Sequence, residues 1–252
     1  MSKEKIYDDK YYEPTPEDQC YLANRFSKVL EIFSKYRFDR ILDVGCGDGN
    51  FSIRLKKECG ADEVFGIELS KKGVELANEK GVRAIQMDID SSNFPFEDNY
   101  FDAVFAGEVI EHLYNPDHLL EEIHRVLKSD GFCVITTPNL ASWMNRISLL
   151  FGFQPYATNV SLRHSVVHLY EPQKEHKMGE ADHKKIFTYR SLVMLLTIYN
   201  FIILKTIGAH VNTSSNKSLS RLANALDKVF SFFPSLAHSV IIVCKAKKLR
   251  NY

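Results

Sequence analysis

Two carboxylates and an imidazole lie within five consecutive positions of the chain. Glu108, Glu111 and His112 form the pattern Glu-x-x-Glu-His. Residues three and four apart share one face of a helical turn, so the spacing predicts that these side chains lie together. Such a set can bind a divalent metal ion or share a proton. The alternative is structural: strand-end and helix-start acids stabilised by the helix dipole, with the histidine lining a cleft.

A second stretch combines an acidic residue with three closely spaced glycines. A short apolar run ends at Asp43, and Gly45, Gly47 and Gly49 follow before a helix-forming segment at 50–57. This order predicts a strand, a tight turn and a helix, with a ligand at the carboxyl end of the strand. Glycine permits the turn and lets backbone approach the ligand, while the helix offers free N–H groups. The spacing differs from the G-x-G-x-x-G dinucleotide fingerprint, and an ordinary glycine turn is the alternative.

Acidic residues also end the next two predicted strands. Glu68 follows the strand at 63–67, about 20 residues after the glycine turn, where a carboxylate can accept hydrogen bonds from both hydroxyls of a ribose. Asp88 follows the strand at 82–87. A solvated strand-end acid is the alternative interpretation of Glu68.

These residues need a sheet that brings several strand ends to one edge. Five strands alternating with helices predict βαβ units and a parallel sheet. Asn115 is predicted to cap a helix that ends at Ser129-Asp130-Gly131, glycine being the usual residue after a helix. Two later strands without a long helix between them predict an antiparallel edge. The predicted strands are 40–44, 63–67, 82–87, 103–106, 132–136, 201–206 and 239–246.

The pattern Asp-x-Gly-x-Gly-x-Gly resembles the first motif of the class I S-adenosylmethionine-dependent methyltransferases, of the type 11-like group. The acids after the second and third strands and the sequence Phe-Asp-x-Val at 101–104 follow in the family's order. The resemblance is strong over 38–138 and weak over 186–207 and 239–246. It implies an α/β fold: a Rossmann-like seven-stranded, mostly parallel sheet with helices on both faces and an antiparallel edge strand.

The resemblance also implies the cofactor, S-adenosyl-L-methionine, and the residues that bind it. In this family the acid after strand three accepts from the adenine amino group, the next backbone N–H meets the ring, and flanking apolar side chains sandwich it. The cofactor-binding residues carried over are Asp43, Gly45, Cys46, Gly47, Gly49, Glu68, Leu69, Asp88, Ile89, Gly107 and Glu108.

The Glu-x-x-Glu-His pattern is locally similar to the ubiquinone-pathway O-methyltransferases and the small-RNA 2′-O-methyltransferases. The second group completes a metal site with a later histidine, for which His183 is the best match here, with His164 and His168 behind it. The resemblance implies a site for Mg²⁺ or Mn²⁺ formed by Glu108, Glu111, His112 and His183. Without a metal, His112 or His183 would be the general base, with Glu111 beside them.

The family comparison and the breaks in strand–helix alternation predict four regions. Function depends on what the insertions add to the core, because a fold alone does not name a substrate. The regions are an arm and helix at 1–37, a cofactor-binding core at 38–138, a substrate-lid insertion at 139–187, and the rest of the core at 188–252 with a helical insertion at about 209–237.

Composition limits the partners. Thirty-two basic and 32 acidic residues leave no net charge, so nothing favours a polyanion, and nucleic acid is not the expected partner. Five scattered cysteines indicate reduced thiols, and the polar N-terminus indicates no secretory signal. With no apolar run of about 20 residues, we expect a cytoplasmic enzyme. The sequence leaves the oligomeric state open.

The acceptor is inferred from the insertions. Apolar side chains at 143–153 and 230–233 favour a small, partly apolar acceptor such as a quinone precursor, lipid or sugar-bearing metabolite. Ordinary amphipathic packing explains the same side chains. An RNA 2′-O-methyltransferase with a divalent metal stays an alternative, although it should show a basic surface. Peripheral contact with a membrane is a weaker alternative, because it needs a more basic helix face. A module that binds the cofactor without catalysis stays open as a different class of protein.

Overall fold

Seven strands and seven α-helices make up the part of the chain that the structure describes. The computed structural model describes residues 16–158, 183–211 and 218–248. The strands are β1 Arg40–Val44, β2 Glu63–Glu68, β3 Arg83–Gln86, β4 Phe101–Gly107, β5 Leu127–Pro138, β6 Phe201–Ala209 and β7 Ser239–Ala246. The helices are α1 Pro16–Phe33, α2 Asn50–Cys59, α3 Lys71–Glu79, α4 Pro116–Val126, α5 Trp143–Leu150, α6 Tyr189–Ile198 and α7 Ser218–Phe230. A short 3₁₀ helix, Ile110–His112, follows β4.

The strands form one sheet in the order β3-β2-β1-β4-β5-β7-β6. All pairings among β1 to β5 are parallel, while β7 runs antiparallel to both β5 and β6. The predicted sheet with an antiparallel edge pair is therefore confirmed. The carboxyl ends of β1 to β5 meet at one edge, and β7 begins there beside the end of β5.

Alternating strand residues fill two apolar layers, one on each face of the sheet. Leu42 of β1 belongs to the layer that includes Leu120 of α4 and residues of α6. Its neighbour Ile41 belongs to the opposite layer, with Leu55 of α2 and Phe33 of α1. Because both faces are covered, the strands read as nearly continuous apolar runs. Helices on both faces were predicted and are confirmed.

The predicted end of the helix after Asn115 is wrong. The Asn115 side chain accepts from the His118 N–H as expected, but α4 ends at Val126 and β5 starts at the next residue. Leu127 is fully buried and pairs with Phe101 of β4. Burial in the sheet thus overrides the local signal of the later glycine.

Both insertions start at the sheet edge where the parallel strands end. Of the predicted 139–187 insertion, the structure describes α5 and its flanks; residues 159–182 lie outside the described part. The second insertion contains α7. The Trp143 indole N–H donates to Asp227 Oδ1 at 2.8 Å, and its ring stacks on Phe230 at 5.3 Å, so α5 and α7 pack together. Among the described residues, none of the helices could cross a bilayer. The four-region division stays a prediction.

Candidate active site

The glycine turn after β1 adopts a conformation that suits glycine at three positions. Gly45, Gly47 and Gly49 have φ of 76°, 57° and 77°, a region that costs other residues roughly 1–2 kcal/mol. The turn folds onto β2, because the N–H groups of Gly45 and Cys46 donate to the Ile67 carbonyl at 2.8 and 3.1 Å. The turn therefore presents backbone, without Cβ atoms, at the carboxyl end of β1.

Asp43 lies behind this turn and is almost fully buried. Burial is the main reason that the pKa of its carboxyl is raised to about 7; the hydrogen bond from Ser52 opposes the shift, and the neighbouring Glu68 adds to it. Ser52 Oγ donates to Asp43 Oδ2 at 2.6 Å. Burial, followed by the charges of Asp43 and Glu68, also raises the pKa of the Cys46 thiol far above its ordinary value. Cys46 is thus an inert thiol packed under the turn.

Glu68 ends β2 beside the glycine turn. Its Oε2 accepts from the Gly47 N–H at 3.0 Å and its Oε1 from the Ser70 N–H at 2.8 Å. These bonds fix the carboxylate, and each oxygen can accept a second hydrogen bond from a ligand hydroxyl. The half-buried Leu69 follows, with its carbonyl accepting from Gln86 at 3.3 Å.

The segment after β3 is fixed by its own acidic side chains. Asp88 Oδ1 accepts from the Asp90 N–H at 3.0 Å. Asp90 Oδ1 accepts from the backbone N–H groups of Tyr114 and Asn115 at 2.9 and 3.1 Å. Ile89 is 9% exposed and belongs to the core. Asp90 therefore ties the predicted adenine segment to the chain that follows the 3₁₀ helix.

Glu108 turns away from the residues with which it was predicted to share a face. It follows Gly107 in a left-handed conformation, φ 57°, outside the 3₁₀ helix. Its carboxylate accepts from the Thr136 hydroxyl at 3.1 Å and forms an ion pair with Arg25 at 3.0 Å. The predicted shared helical face is thus wrong for Glu108, because a three-residue 3₁₀ helix starting at Ile110 does not include it.

Glu111 is buried and only partly hydrogen-bonded. Oε2 accepts from the Thr137 hydroxyl at 3.0 Å, while Oε1 has no partner among the described residues. Burial and the nearby Glu108 raise the pKa of Glu111 well above its usual range. The Glu111 carbonyl accepts from the N–H groups of Lys184 and Lys185 at 2.7 and 3.0 Å. This contact brings the chain around His183 back to the 3₁₀ helix.

His112 and His183 lie side by side as a result. Their ring centroids are 4.8 Å apart, and ligand atoms of both lie within 4.8 Å of Glu111 and of each other. His183 Nδ1 lies 2.8 Å from the Ala157 carbonyl, so in the neutral tautomer that this contact selects, Nδ1 donates to the carbonyl and Nε2 presents a lone pair. Two imidazoles and a carboxylate, one of its oxygens buried and unpaired, fit a divalent transition metal.

The cluster includes three of the four residues predicted to hold a metal and leaves out Glu108. The other histidines considered, His164 and His168, lie outside the described residues. The assignment of roles to all of these residues stays a prediction.

Five polar residues at the site were missed by the sequence analysis: Arg25, Ser52, Asp90, Thr136 and Thr137. Thr136 and Thr137 end β5, next to β4, so the rule that strand ends carry function could have found them. Asp90 stands two residues after the predicted adenine acid. Arg25 has no sequence signal, since it precedes an apolar position of an ordinary amphipathic helix.

An open sheet of this order, with a glycine turn after β1 and acids at or just after the ends of β2 and β3, is the fold of the class I S-adenosylmethionine-dependent methyltransferases. Residues 42–135 match the family described as the methyltransferase domain. This region of the chain is therefore similar to the methyltransferase domain family, and the relatives and structural neighbours below are methyltransferases too.

Curated relatives match about half of the chain. An uncharacterised methyltransferase of Schizosaccharomyces pombe is 32% identical over 50% of this chain and 55% of that protein. The demethylmenaquinone methyltransferase of Staphylococcus aureus is 37% identical, with the same two shares. The chain thus spans about half the length of the curated relatives it matches.

Solved structures share the fold over nearly the whole chain. One comes from the complex between the Haloferax volcanii Trm112 methyltransferase activator and a methyltransferase, with a TM-score of 0.69 and 14% identity, covering 100% of both chains. A Thermotoga maritima S-adenosylmethionine-dependent methyltransferase gives a TM-score of 0.61 and 17% identity, covering 96% and 99%. At these identities the likeness shows the fold alone.

Proposed function

We propose that this protein transfers the methyl group of S-adenosylmethionine to a hydroxyl of a small, partly apolar acceptor. The observation that carries the proposal is the meeting of two sets of residues at one sheet edge. The glycine turn and Glu68 form a cradle with fixed donors and acceptors. The pair His112 and His183 lies at the end of the neighbouring strand, with ring centroids 4.8 Å apart.

His112 and His183 are suited to remove the proton from the hydroxyl group of an acceptor. A hydroxyl must lose its proton as it attacks, and histidine is the commonest general base. His183 is oriented for this role because its Nδ1 is held by the Ala157 carbonyl at 2.8 Å, which directs the basic Nε2 elsewhere. The strand-end position brings this nitrogen to the edge where the transferable methyl group is expected.

The acceptor class is supported by apolar surface on the two insertions. Leu149, Leu150 and Phe151 at the end of α5 are 58%, 78% and 68% exposed, and Phe232 and Phe233 after α7 are 78% and 57% exposed. Exposed apolar clusters of this kind mark binding surfaces. The Staphylococcus aureus relative is named for demethylmenaquinone, which agrees with an apolar acceptor.

A divalent metal at the same site is the finer proposal. Glu111, His112 and His183 would hold it, and two imidazole donors favour a transition ion such as Mn²⁺ over Mg²⁺, which prefers oxygen ligands. When bound, such an ion would lower the pKa of an acceptor hydroxyl. The chain's own part is to position the three ligand side chains through Thr137, Ala157 and the Glu111 carbonyl.

The test begins with cofactor binding. Calorimetry with S-adenosylhomocysteine should give micromolar affinity for the wild type, and Glu68→Gln should weaken it about 10- to 100-fold, because charge-assisted hydrogen bonds to the ribose are lost. Glu63→Gln, at the other end of β2, is the matched control and should bind like the wild type. Equal affinity of all three proteins would remove Glu68 from the site.

Transfer is then measured with labelled S-adenosylmethionine and separate panels of phenols, quinols and RNA oligonucleotides. Labelled product from a quinol or phenol supports the proposal. Labelling of RNA alone would overturn the acceptor class. Intact cofactor binding with no transfer to any panel would favour a binding module instead of an enzyme.

A further inference from the structure

A buried arginine beside the candidate active site lacks hydrogen-bond acceptors. Arg25 of α1 is 2% exposed. Its NH1 group lies 3.0 Å from Glu108 Oε2 and 3.3 Å from Ser239 Oγ. Its Nε and NH2 groups have no partner among the described residues. Burying two donors without acceptors costs the free energy of their lost hydration. A ligand that accepts hydrogen bonds from both donors would recover it.

The two unpaired donors are adjacent on the guanidinium plane. Nε–H and one NH2 hydrogen point in parallel along one side of the group, which matches the two oxygens of a carboxylate. Glu108 occupies the other side, through NH1. A ligand with both a carboxylate and an ammonium group would therefore find a partner for each charge in the Arg25–Glu108 pair.

The position of the Arg25–Glu108 pair in the fold indicates which part of a bound ligand the pair would contact. Phe26, next to Arg25, packs on Phe51 in the first turn of α2 with ring centroids 4.3 Å apart, directly after the glycine turn. Glu108 directly follows β4, the neighbour of β1. The pair thus lies at the carboxyl ends of β1 and β4. The Glu108 side chain is 20% exposed, so a ligand at this sheet edge can contact its carboxylate, with Arg25 directly behind it.

The order of the strands gives the order of the cofactor's parts. Along the sheet edge, β3 carries the predicted adenine residue Asp88 and β2 the predicted ribose residue Glu68. A cofactor laid out in this direction reaches β1 and β4 with whatever follows the ribose. In S-adenosylmethionine that part is the sulfonium and its amino-acid tail, a carboxylate with an ammonium group.

We propose that Arg25 binds the carboxylate of the cofactor's amino-acid tail through Nε and NH2, while Glu108 accepts from its ammonium group. This inference rests on the proposed function, since it assumes S-adenosylmethionine as the ligand. It assigns Glu108 to the cofactor and not to the metal site, in agreement with its position outside the Glu111–His112–His183 cluster.

The test compares two ligands that differ in the tail. S-Adenosylhomocysteine carries the amino-acid group and 5′-methylthioadenosine lacks it. Calorimetry should show that Arg25→Lys weakens S-adenosylhomocysteine about 10- to 100-fold and leaves 5′-methylthioadenosine within about twofold, since only the first ligand needs the paired donors. Equal losses for both ligands would show that Arg25 only supports the fold, and no loss would show that it does not meet the tail.

A second measurement needs no variant. S-adenosyl-3-thiopropylamine keeps the ammonium group and lacks only the carboxylate, so the wild type should bind it about 10- to 100-fold more weakly than S-adenosylhomocysteine. Similar affinities would overturn the inference even if Arg25→Lys fails to fold. A wild type that binds none of the three nucleosides would instead contradict the proposed function, which separates the two failures.

Discussion

Gly45 joins the glycine turn to the segment that carries the candidate catalytic residues. A Cβ at this position would lie 2.5 Å from Val109 Cγ2 and 3.9 Å from Val109 Cβ. Real Cβ atoms do not approach another carbon to 2.5 Å, so Gly45→Ala must displace Val109, the residue just before the 3₁₀ helix. The substitution should therefore affect both the glycine turn and the 3₁₀ helix that carries Glu111 and His112.

The expected cost has two separable parts. Alanine at φ 76° carries a backbone penalty of roughly 1–2 kcal/mol, and overpacking against Val109 adds about 1–3 kcal/mol. Together they lower the free energy of unfolding by about 2–5 kcal/mol. Gly152 provides the matched control: its φ is 75°, and nothing lies within 4 Å of an added Cβ. Gly152→Ala should cost only the backbone part.

The assay is urea denaturation of a double-mutant cycle. Val109→Ala removes Cγ2 and leaves the Cβ at an ordinary contact distance, so in that background Gly45→Ala should cost no more than Gly152→Ala does alone. A coupling energy of about 1–3 kcal/mol between positions 45 and 109 is expected. The reasoning is refuted if the two alanine substitutions cost the same in the wild type, or if Val109→Ala brings no relief.

Two further predictions concern the carboxylates of the site. Asp43 keeps its proton to about pH 7 in the folded protein but loses it near pH 4 when unfolded, so stability should fall as the pH rises through this window, by up to about 4 kcal/mol. Asp43→Asn should make this slope shallower in urea denaturation from about pH 4 to 8 and leave the part that is due to Glu111, whose pKa is also raised by burial; parallel profiles of variant and wild type would contradict it. After metal stripping, Mn²⁺ should bind the wild type, and Glu111→Gln should weaken it at least about tenfold. Glu108→Gln, whose carboxylate faces Arg25, should keep Mn²⁺ affinity, and equal effects of the two substitutions would argue against the cluster.

Local physics made the glycine turn and the strand ends beside it predictable from the sequence. A strand buried on both faces is a continuous apolar run, and its end is marked by the first acid or glycine. Asp43 and Glu68 were therefore placed at strand ends, and β1 and β7 have the predicted bounds. Ser70 and Thr188 cap their helices as their types suggest, with hydroxyls accepting from Gly73 and Ser191 N–H groups.

Other features could not be predicted from the sequence, because they depend on contacts between residues that are far apart along the chain. Cys133 and Cys244, which showed no paired spacing, lie directly opposite each other on β5 and β7 as buried free thiols. β5 begins at Leu127 and not at the predicted position 132, because Leu127 is buried where it pairs with β4. The left-handed conformation of Glu108 could not be predicted from its residue type, since glutamate rarely adopts it. It is stabilised by partners 28 residues away at Thr136 and on α1.

The acids beside the glycine turn and His183 are held in place by different kinds of contact. This difference predicts where the sequence can vary without moving these residues. The acids at the ends of β1 and β2 are fixed by neighbours in the same βαβ unit, such as Ser52 for Asp43. His183 is fixed by hydrogen bonds between its own segment and distant backbone, from Lys184 and Lys185 to Glu111. Backbone contacts depend little on side-chain identity, so the sequence of the 139–187 insertion can change while this histidine stays beside the 3₁₀ helix. Under the proposed function, a fold that binds one cofactor would in this way serve different acceptors, because the insertion proposed to select the acceptor is attached through its main chain.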